Sequence, residues 1–175
     1  MGAILKYFEE LTRAMTMLGR DERTLFVGQQ TVYDGQRMHA SLAGVPMEKR
    51  IEMPVAENFQ MGFCTGLSLE GYIPVCSFPR WDFAIIAADQ LINHLDKIEE
   101  ISDFRPKVII RTAVGSKRPL DPGPQHTQNH TQGMRNILKH IPIEELKYED
   151  QIYDAYKWAL NAQHSVIMVE YMERY

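Results

Sequence analysis

Cysteine is scarce: Cys64 and Cys76 are the two in 175 residues. Their separation is neither that of a redox pair nor that of a zinc site. Set among apolar neighbours, they read as buried, reduced thiols, which fits a cytoplasmic protein. Long hydrophobic runs are missing as well. No stretch approaches membrane-spanning length, and the opening Met1 to Glu10 becomes charged too quickly for a signal peptide. Charge of one sign is not in excess either. A formal net charge of -4 gives no electrostatic footprint for nucleic acid or an anionic membrane. The chain also has no P-loop, no Gly-x-Gly-x-x-Gly and no Gly-x-Ser-x-Gly elbow, so it has no obvious device of its own for holding phosphates.

What remains is an ordinary globular composition, 45% hydrophobic and 24% charged, in a length suited to one domain. Ile4, Phe8, Leu11, Met15 and Leu18 recur at helical spacing, and Gly19 closes that helix. Thr24 to Gly28 is a compact buried strand. Gln29 to Arg50 has weak periodicity and is expected to be a long loop with at most one short helical turn. Ile51 to Ala56 reads as a strand, with Pro54 suited to an edge or a strand end. Glu57 to Glu70 reads as a helix. Gly62 and Gly66 share one face of it, at about 1 kcal/mol each, which points to close approach of another helix, within the chain or from a second subunit, or else to a poor helix.

Tyr72 to Phe78 is the next expected strand. A long helix follows from Asp82, its cap, with a stripe of Ile85, Ala88, Ile92, Leu95 and Ile98. Lys107 to Arg111 has the continuous Val-Ile-Ile character of a strand covered on both faces. Gly115, Pro119, Pro122, Gly123 and Pro124 make Thr112 to Gln132 a loop. A helix at Gly133 to His140, a strand at Ile143 to Tyr148, a helix at Glu149 to Gln163 and a strand at Ser165 to Tyr171 complete the chain. Strand and helix alternate throughout, so the expected fold is a three-layer α/β domain with a mainly parallel sheet.

The stretch Met53 to Phe83 holds the candidate site. In open α/β sheets ligands sit at the carboxyl ends of strands. There Glu57 offers a carboxylate, and Trp81 and Phe83 offer aromatic rings, a pairing suited to a flat, nitrogen-bearing ring. Glu57 at a helix start also has a purely structural role open to it. A carboxylate between Pro54-Val55-Ala56 and Phe59, Met61 and Phe63 would need a partner to offset its burial. Phe83 also suits a core aromatic, and Trp81 a subunit contact as well as a pocket wall. In the late loop, Gln125-His126-Thr127-Gln128-Asn129-His130 is the most proton-active segment. His126 and His130 have the spacing of a helical metal pair but lack the glutamate of a zinc-protease motif. Histidines on such a loop serve substrate binding or proton transfer more often than metal.

Taken in order, Met53-Pro-Val-Ala-Glu57, Gly71-Tyr-Ile-Pro-Val75, Trp81-Asp-Phe-Ala84, Asp89-Gln-Leu-Ile-Asn93 with Lys97, Val108-Ile-Ile-Arg111, Gln125-His-Thr-Gln128 and Val166 to Tyr175 resemble the pyrimidine-binding domain of 2-oxoacid dehydrogenase beta subunits, as in pyruvate and acetoin dehydrogenase. The resemblance implies a transketolase-type fold and thiamine diphosphate as cofactor. It implies that Glu57 hydrogen-bonds the pyrimidine nitrogen and promotes the imino tautomer, whose exocyclic nitrogen deprotonates the thiazolium. Phe83 and Trp81 become cofactor-binding residues, and His126 stands near the substrate. No metal ligand is assigned to this chain, because magnesium and the diphosphate are held by a separate alpha-type subunit, in an α2β2-like assembly. The Gly-Asp-Gly…Asn motif that holds them is absent here, as is a carboxyl-terminal domain, so residues 1–175 form one pyrimidine-binding domain. The Pro122-Gly-Pro-Gln-His126 loop is similar to transketolases, leaving a 2-oxo acid or a ketose as substrate. Two other readings stay open: a non-catalytic subunit that keeps the fold, and metal-dependent hydrolysis through His126 and His130.

Overall fold

The computed structural model describes every residue except Met1, Gln36, Ser116 and 118–120, and side chains from Lys6 onward. Pro119, placed in the late loop by sequence, therefore lies outside the described residues. The elements run α1 (Gly2–Gly19), β1 (Thr24–Gly28), α2 (Arg37–Ala40), β2 (Arg50–Glu52), α3 (Glu57–Leu69), β3 (Ile73–Phe78), α4 (Trp81–Ala84), α5 (Ile98–Ile101), β4 (Ile109–Val114), α6 (Thr131–Ile137), β5 (Ile143–Glu145), α7 (Glu149–Asn161) and β6 (Val166–Tyr171). The strands form one six-stranded sheet in the order β2-β1-β3-β4-β6-β5. Every pairing in it is parallel, with Gly28 opposite both Glu52 and Ser77.

Alternate residues of the central strands feed two cores. Phe26, Val75, Ile109, Val166 and Met168 join Tyr7, Leu11, Ile152 and Tyr156 from α1 and α7. Val27, Cys76, Ile110, Ile167 and Val169 join Met61, Cys64, Trp81, Leu91 and Met134 on the other face. The result is the expected three-layer α/β domain. Both cysteines are buried and unpaired, and burial pushes the Cys64 thiol's pKa up.

Four local expectations need correction. No long helix follows Asp82. The chain instead makes the short α4, a tight turn, a π-helical turn over Gln90–Leu95 and then α5. The turn is tightened by Ala87 N–H to Ala84 O (3.1 Å) and widened by Asp96 N–H to Leu91 O (3.0 Å). The buried stripe is thereby re-phased onto Trp81, Ala84, Ala87, Leu91 and Leu95, leaving Ile85 and Ile86 exposed. Nor is Asp82 the cap; Arg80 holds that position. β2 and β5 are each three residues long, shorter than expected. α6 starts and stops early, because the buried Asp96 carboxylate takes the N–H groups of Lys139 (3.1 Å) and His140 (2.9 Å) away from any further helical turn. Of the two helical glycines, a side chain at Gly62 would meet Gln90, whereas Gly66 faces open space.

Candidate active site at the carboxyl edge of the sheet

The chain leaves β1 toward β2 on one side, and all later strands build on the other. The strand order therefore reverses between β1 and β3, the place where open α/β sheets bind ligands. Glu57 stands over this point. It is the first residue of α3, after Ala56 at the cap, so its charge lies at the positive end of a 13-residue helix. Its side chain is 4% exposed and accepts a hydrogen bond from Gln29 Nε2 at 3.1 Å. The enclosure differs from the expected apolar sleeve: Met61 is buried, but Val55 and Phe59 are exposed. One turn on, the fully buried Gln60 donates to Ser77 O (3.0 Å), which locks the start of α3 to the end of β3.

His126 is delivered by the loop after β4. A Cβ on Gly115 would lie 2.0 Å from His126 O and 2.8 Å from Thr127 Cα, so only glycine lets the loop fold back this closely. Gly123, at φ +83°, turns the chain, and its carbonyl accepts from His126 N–H (3.1 Å) and the Thr127 hydroxyl (3.2 Å). Gln128 then donates to Asp82 Oδ1 at 2.8 Å, and His130 Nε2 lies 3.5 Å from the same oxygen. Asp82, expected as a helix cap, is thus the anchor of the histidine loop. His126 stands edge-on to Phe83, with ring centroids 5.3 Å apart and planes at 82°. Both are half-buried.

Trp81 requires a correction. It is fully buried, and its indole N–H donates to Thr131 Oγ1 at 2.9 Å. A ring with no exposed surface offers nothing to a ligand, so Trp81 is neither pocket wall nor subunit contact. It ties α4 to α6 behind the site. His126 and His130 lie on a loop rather than a helix, so the i, i+4 helical geometry does not apply to them.

Several buried polar atoms near this edge have no hydrogen-bond partner among the described residues: Gln30 Oε1, Gln60 Oε1, Ser77 Oγ, Arg80 Nη1, Asp82 Oδ2, Thr112 Oγ1 and His126 Nδ1. They come from the carboxyl ends of β1, β3 and β4 and the segments that follow them, and from the first turn of α3. Such groups cost stability unless something polar completes them. A buried carboxylate, a half-buried aromatic edge and unpaired donors and acceptors fit a planar heterocycle with ring nitrogens. Sequence reasoning missed Gln29, Gln60 and Gly115. Gln29 directly follows β1, and Gln60 lies one helical turn from Glu57, so position alone signalled both.

No protein-family model matches the chain. It is 34% identical over 83 residues to the beta subunit of the mitochondrial pyruvate dehydrogenase E1 component of Drosophila melanogaster, a match spanning 46% of this chain and 23% of the relative. It is 23% identical over 153 residues to the beta subunit of 3-methyl-2-oxobutanoate dehydrogenase of Mycobacterium tuberculosis, spanning 76% of this chain and 44% of the relative. The matched part is thus less than half the length of either relative. Among solved structures, a split-gene transketolase described as an inactive beta4 tetramer superposes with a TM-score of 0.73 at 19% identity, covering 93% of this chain and 50% of that one. The transketolase of Campylobacter jejuni gives 0.73 at 12% identity, covering 97% and 26%. The similarity found is therefore to 2-oxoacid dehydrogenase beta subunits, as the motifs suggested, and the fold is the transketolase type.

Proposed function

We propose that this chain is the pyrimidine-binding half of a split thiamine-diphosphate-dependent enzyme that acts on a 2-oxo acid or a ketose and needs an alpha-type, diphosphate-binding partner. The supporting observation is Glu57: a buried carboxylate at the point where strand order reverses, held by one neutral amide. The similarity to dehydrogenase beta subunits and to a split-gene transketolase supports the same reading. That transketolase's beta4 tetramer is described as inactive, and this chain without a partner is expected to be inactive too. An α2β2-like assembly, magnesium held by the partner and a cytoplasmic location belong to this reading.

Thiamine diphosphate, when bound, supplies an acidic thiazolium C–H and an electron sink for the substrate's carbonyl carbon. The residues of this chain control protons around it. Glu57 would share a proton with the pyrimidine ring nitrogen, giving it up as the exocyclic amine loses its own and taking it back afterwards, a task for a carboxyl group shielded from water. Phe83 gives the pyrimidine an aromatic face. His126, whose Nδ1 is unpaired, serves as proton donor or oxyanion partner on the substrate side.

Exchange of the thiazolium proton for deuterium in the complex reconstituted with the partner tests this directly. Glu57→Gln keeps the shape of the side chain but cannot shuttle the proton, so exchange should slow on the order of 10²-fold. Equal rates in the two proteins would leave Glu57 as a helix-start carboxylate and favour the non-catalytic subunit.

A further inference from the structure

A carboxylate that shares a proton with one ring nitrogen must present one particular oxygen, and burial alone does not select it. Gln29 does. Its Nε2 occupies Glu57 Oε1 at 3.1 Å, and Oε2 takes no hydrogen bond from any described residue. The donor is an amide, which orients a carboxylate without supplying a positive charge. A lysine or arginine there would stabilise the ionised form strongly and oppose proton uptake.

The position of Gln29 is enforced by an unusual turn. The Glu52 carboxylate, at the end of β2, accepts the N–H groups of Gln30 (2.6 Å), Thr31 (2.8 Å) and Val32 (2.8 Å). Thr31, 1% exposed, adds its hydroxyl to Ile51 O at 2.9 Å. Gln30 is held at φ +58°, the one non-glycine residue with positive φ among the described residues. Such a backbone is sparsely populated and persists where its surroundings over-determine it. Here three charge-assisted hydrogen bonds converge on it, directly beside the residue that touches Glu57.

We infer that Gln29 is a positioning residue for Glu57: it fixes Oε1 so that Oε2 meets the ring nitrogen, and the turn pinned by Glu52 holds it in place. The inference rests on the catalytic reading of Glu57. It extends that reading to a residue and a strained turn that the sequence motifs did not mark.

The first test needs no cofactor. In the free chain, NMR should show one Gln29 side-chain amide proton displaced downfield from those of exposed glutamines, and Glu57→Ala should return it to them. The second test uses the reconstituted complex. Gln29→Met keeps length without a donor and should slow thiazolium proton exchange roughly tenfold, with the thiamine diphosphate dissociation constant changed less than about threefold. In a Glu57→Gln background the same change should have no further effect. Gln29→Glu sets a second carboxylate against the first and should move the acid limb of the exchange profile up by about one pH unit or more, which a purely structural role would not do. Should Gln29→Met fail to fold, Gln29→Asn, which keeps the donor out of reach, serves the same purpose. Wild-type exchange in the Gln29 variants alongside slow exchange in Glu57→Gln overturns the positioning role alone. Wild-type exchange in all of them overturns both readings.

Discussion

Replacing Arg111 by methionine removes the centre of a fully buried polar network. Arg111 on β4 and Glu170 on β6 are both fully buried, joined by Nε to Oε1 at 2.6 Å and Nη2 to Oε2 at 3.0 Å. Nη2 also reaches Ser41 Oγ at 2.8 Å. Tyr156 donates to Glu170 Oε1 at 2.5 Å, and Tyr175 donates to Oε2. Burial works against the guanidinium charge, but the Glu170 carboxylate outweighs it and pushes the Arg111 pKa up. Burial raises both tyrosines, so they remain donors. Arg111→Met leaves Glu170 charged and without its cation in the core, a loss of about 3–5 kcal/mol. Adding Glu170→Gln removes the stranded charge and still offers an oxygen to the tyrosines. The double variant should therefore be more stable than the single one, at a total cost of about 1–2 kcal/mol. Urea unfolding of wild type, Arg111→Met and the double variant measures both quantities, provided the slope with denaturant is unchanged. A single-variant loss below about 1 kcal/mol, or a double variant no better than the single, would refute the reasoning.

His126→Ala in the reconstituted enzyme should lower turnover about 10²-fold with little change in thiamine diphosphate affinity; unchanged turnover would remove His126 from the mechanism. Asp96, with 0% exposure, accepts from Lys97 Nζ and the N–H groups of Lys139, His140 and Ile141. Burial works to raise its pKa, but the Lys97 ammonium and the N–H groups of His140 and Lys139 together hold it below the usual aspartate range. Its stabilisation is thus present above about pH 4 and is lost as pH falls through the lowered folded value. Asp96→Asn should cost about 2 kcal/mol at pH 7, and the gap from wild type should narrow below pH 4. A pH-independent gap in denaturation midpoints would contradict the assignment.

Much of the architecture was legible because burial on both faces writes itself into strands as unbroken apolar runs. Lys107-Val-Ile-Ile announced a central parallel strand, and Ile109–Val114 is that strand with its start moved two residues on. The place of Glu57 at the start of α3 was legible for a different reason, since a carboxylate just after a strand and before a helical run is marked by position. The region after Asp82 was not legible. A helical stripe presumes 3.6 residues per turn, and the tight and wide turns between Ala84 and Leu95 shift the phase without any proline or glycine to mark them. Trp81 misled because an aromatic next to a site motif reads as a wall until its burial and its bond to Thr131 are known. Gln29 escaped notice because its role depends on the backbone of Gln30 and on Glu52, 22 residues further along the chain than Gln30.

The two polar interiors of this chain are built on opposite rules. At Arg111 the charged groups find partners, and that network serves the cohesion of β4, β6 and the segment around Ser41. At the carboxyl edge near β1 and β3, Gln60, Ser77, Arg80 and His126 each keep a buried atom without a partner among the described residues. Each such atom costs about 1–3 kcal/mol against a satisfied equivalent, so natural cores rarely collect several in one place. Glu57 sits in the same region with a single neutral donor. A fold that satisfies Glu170 so thoroughly is not short of means to satisfy Glu57. This cluster coincides with the strained turn at Gln30 and the close approach at Gly115. Polar groups left unpaired, backbone held out of its usual range and a carboxylate with one oxygen committed converge where a planar, hydrogen-bonding ligand would return the stability they cost.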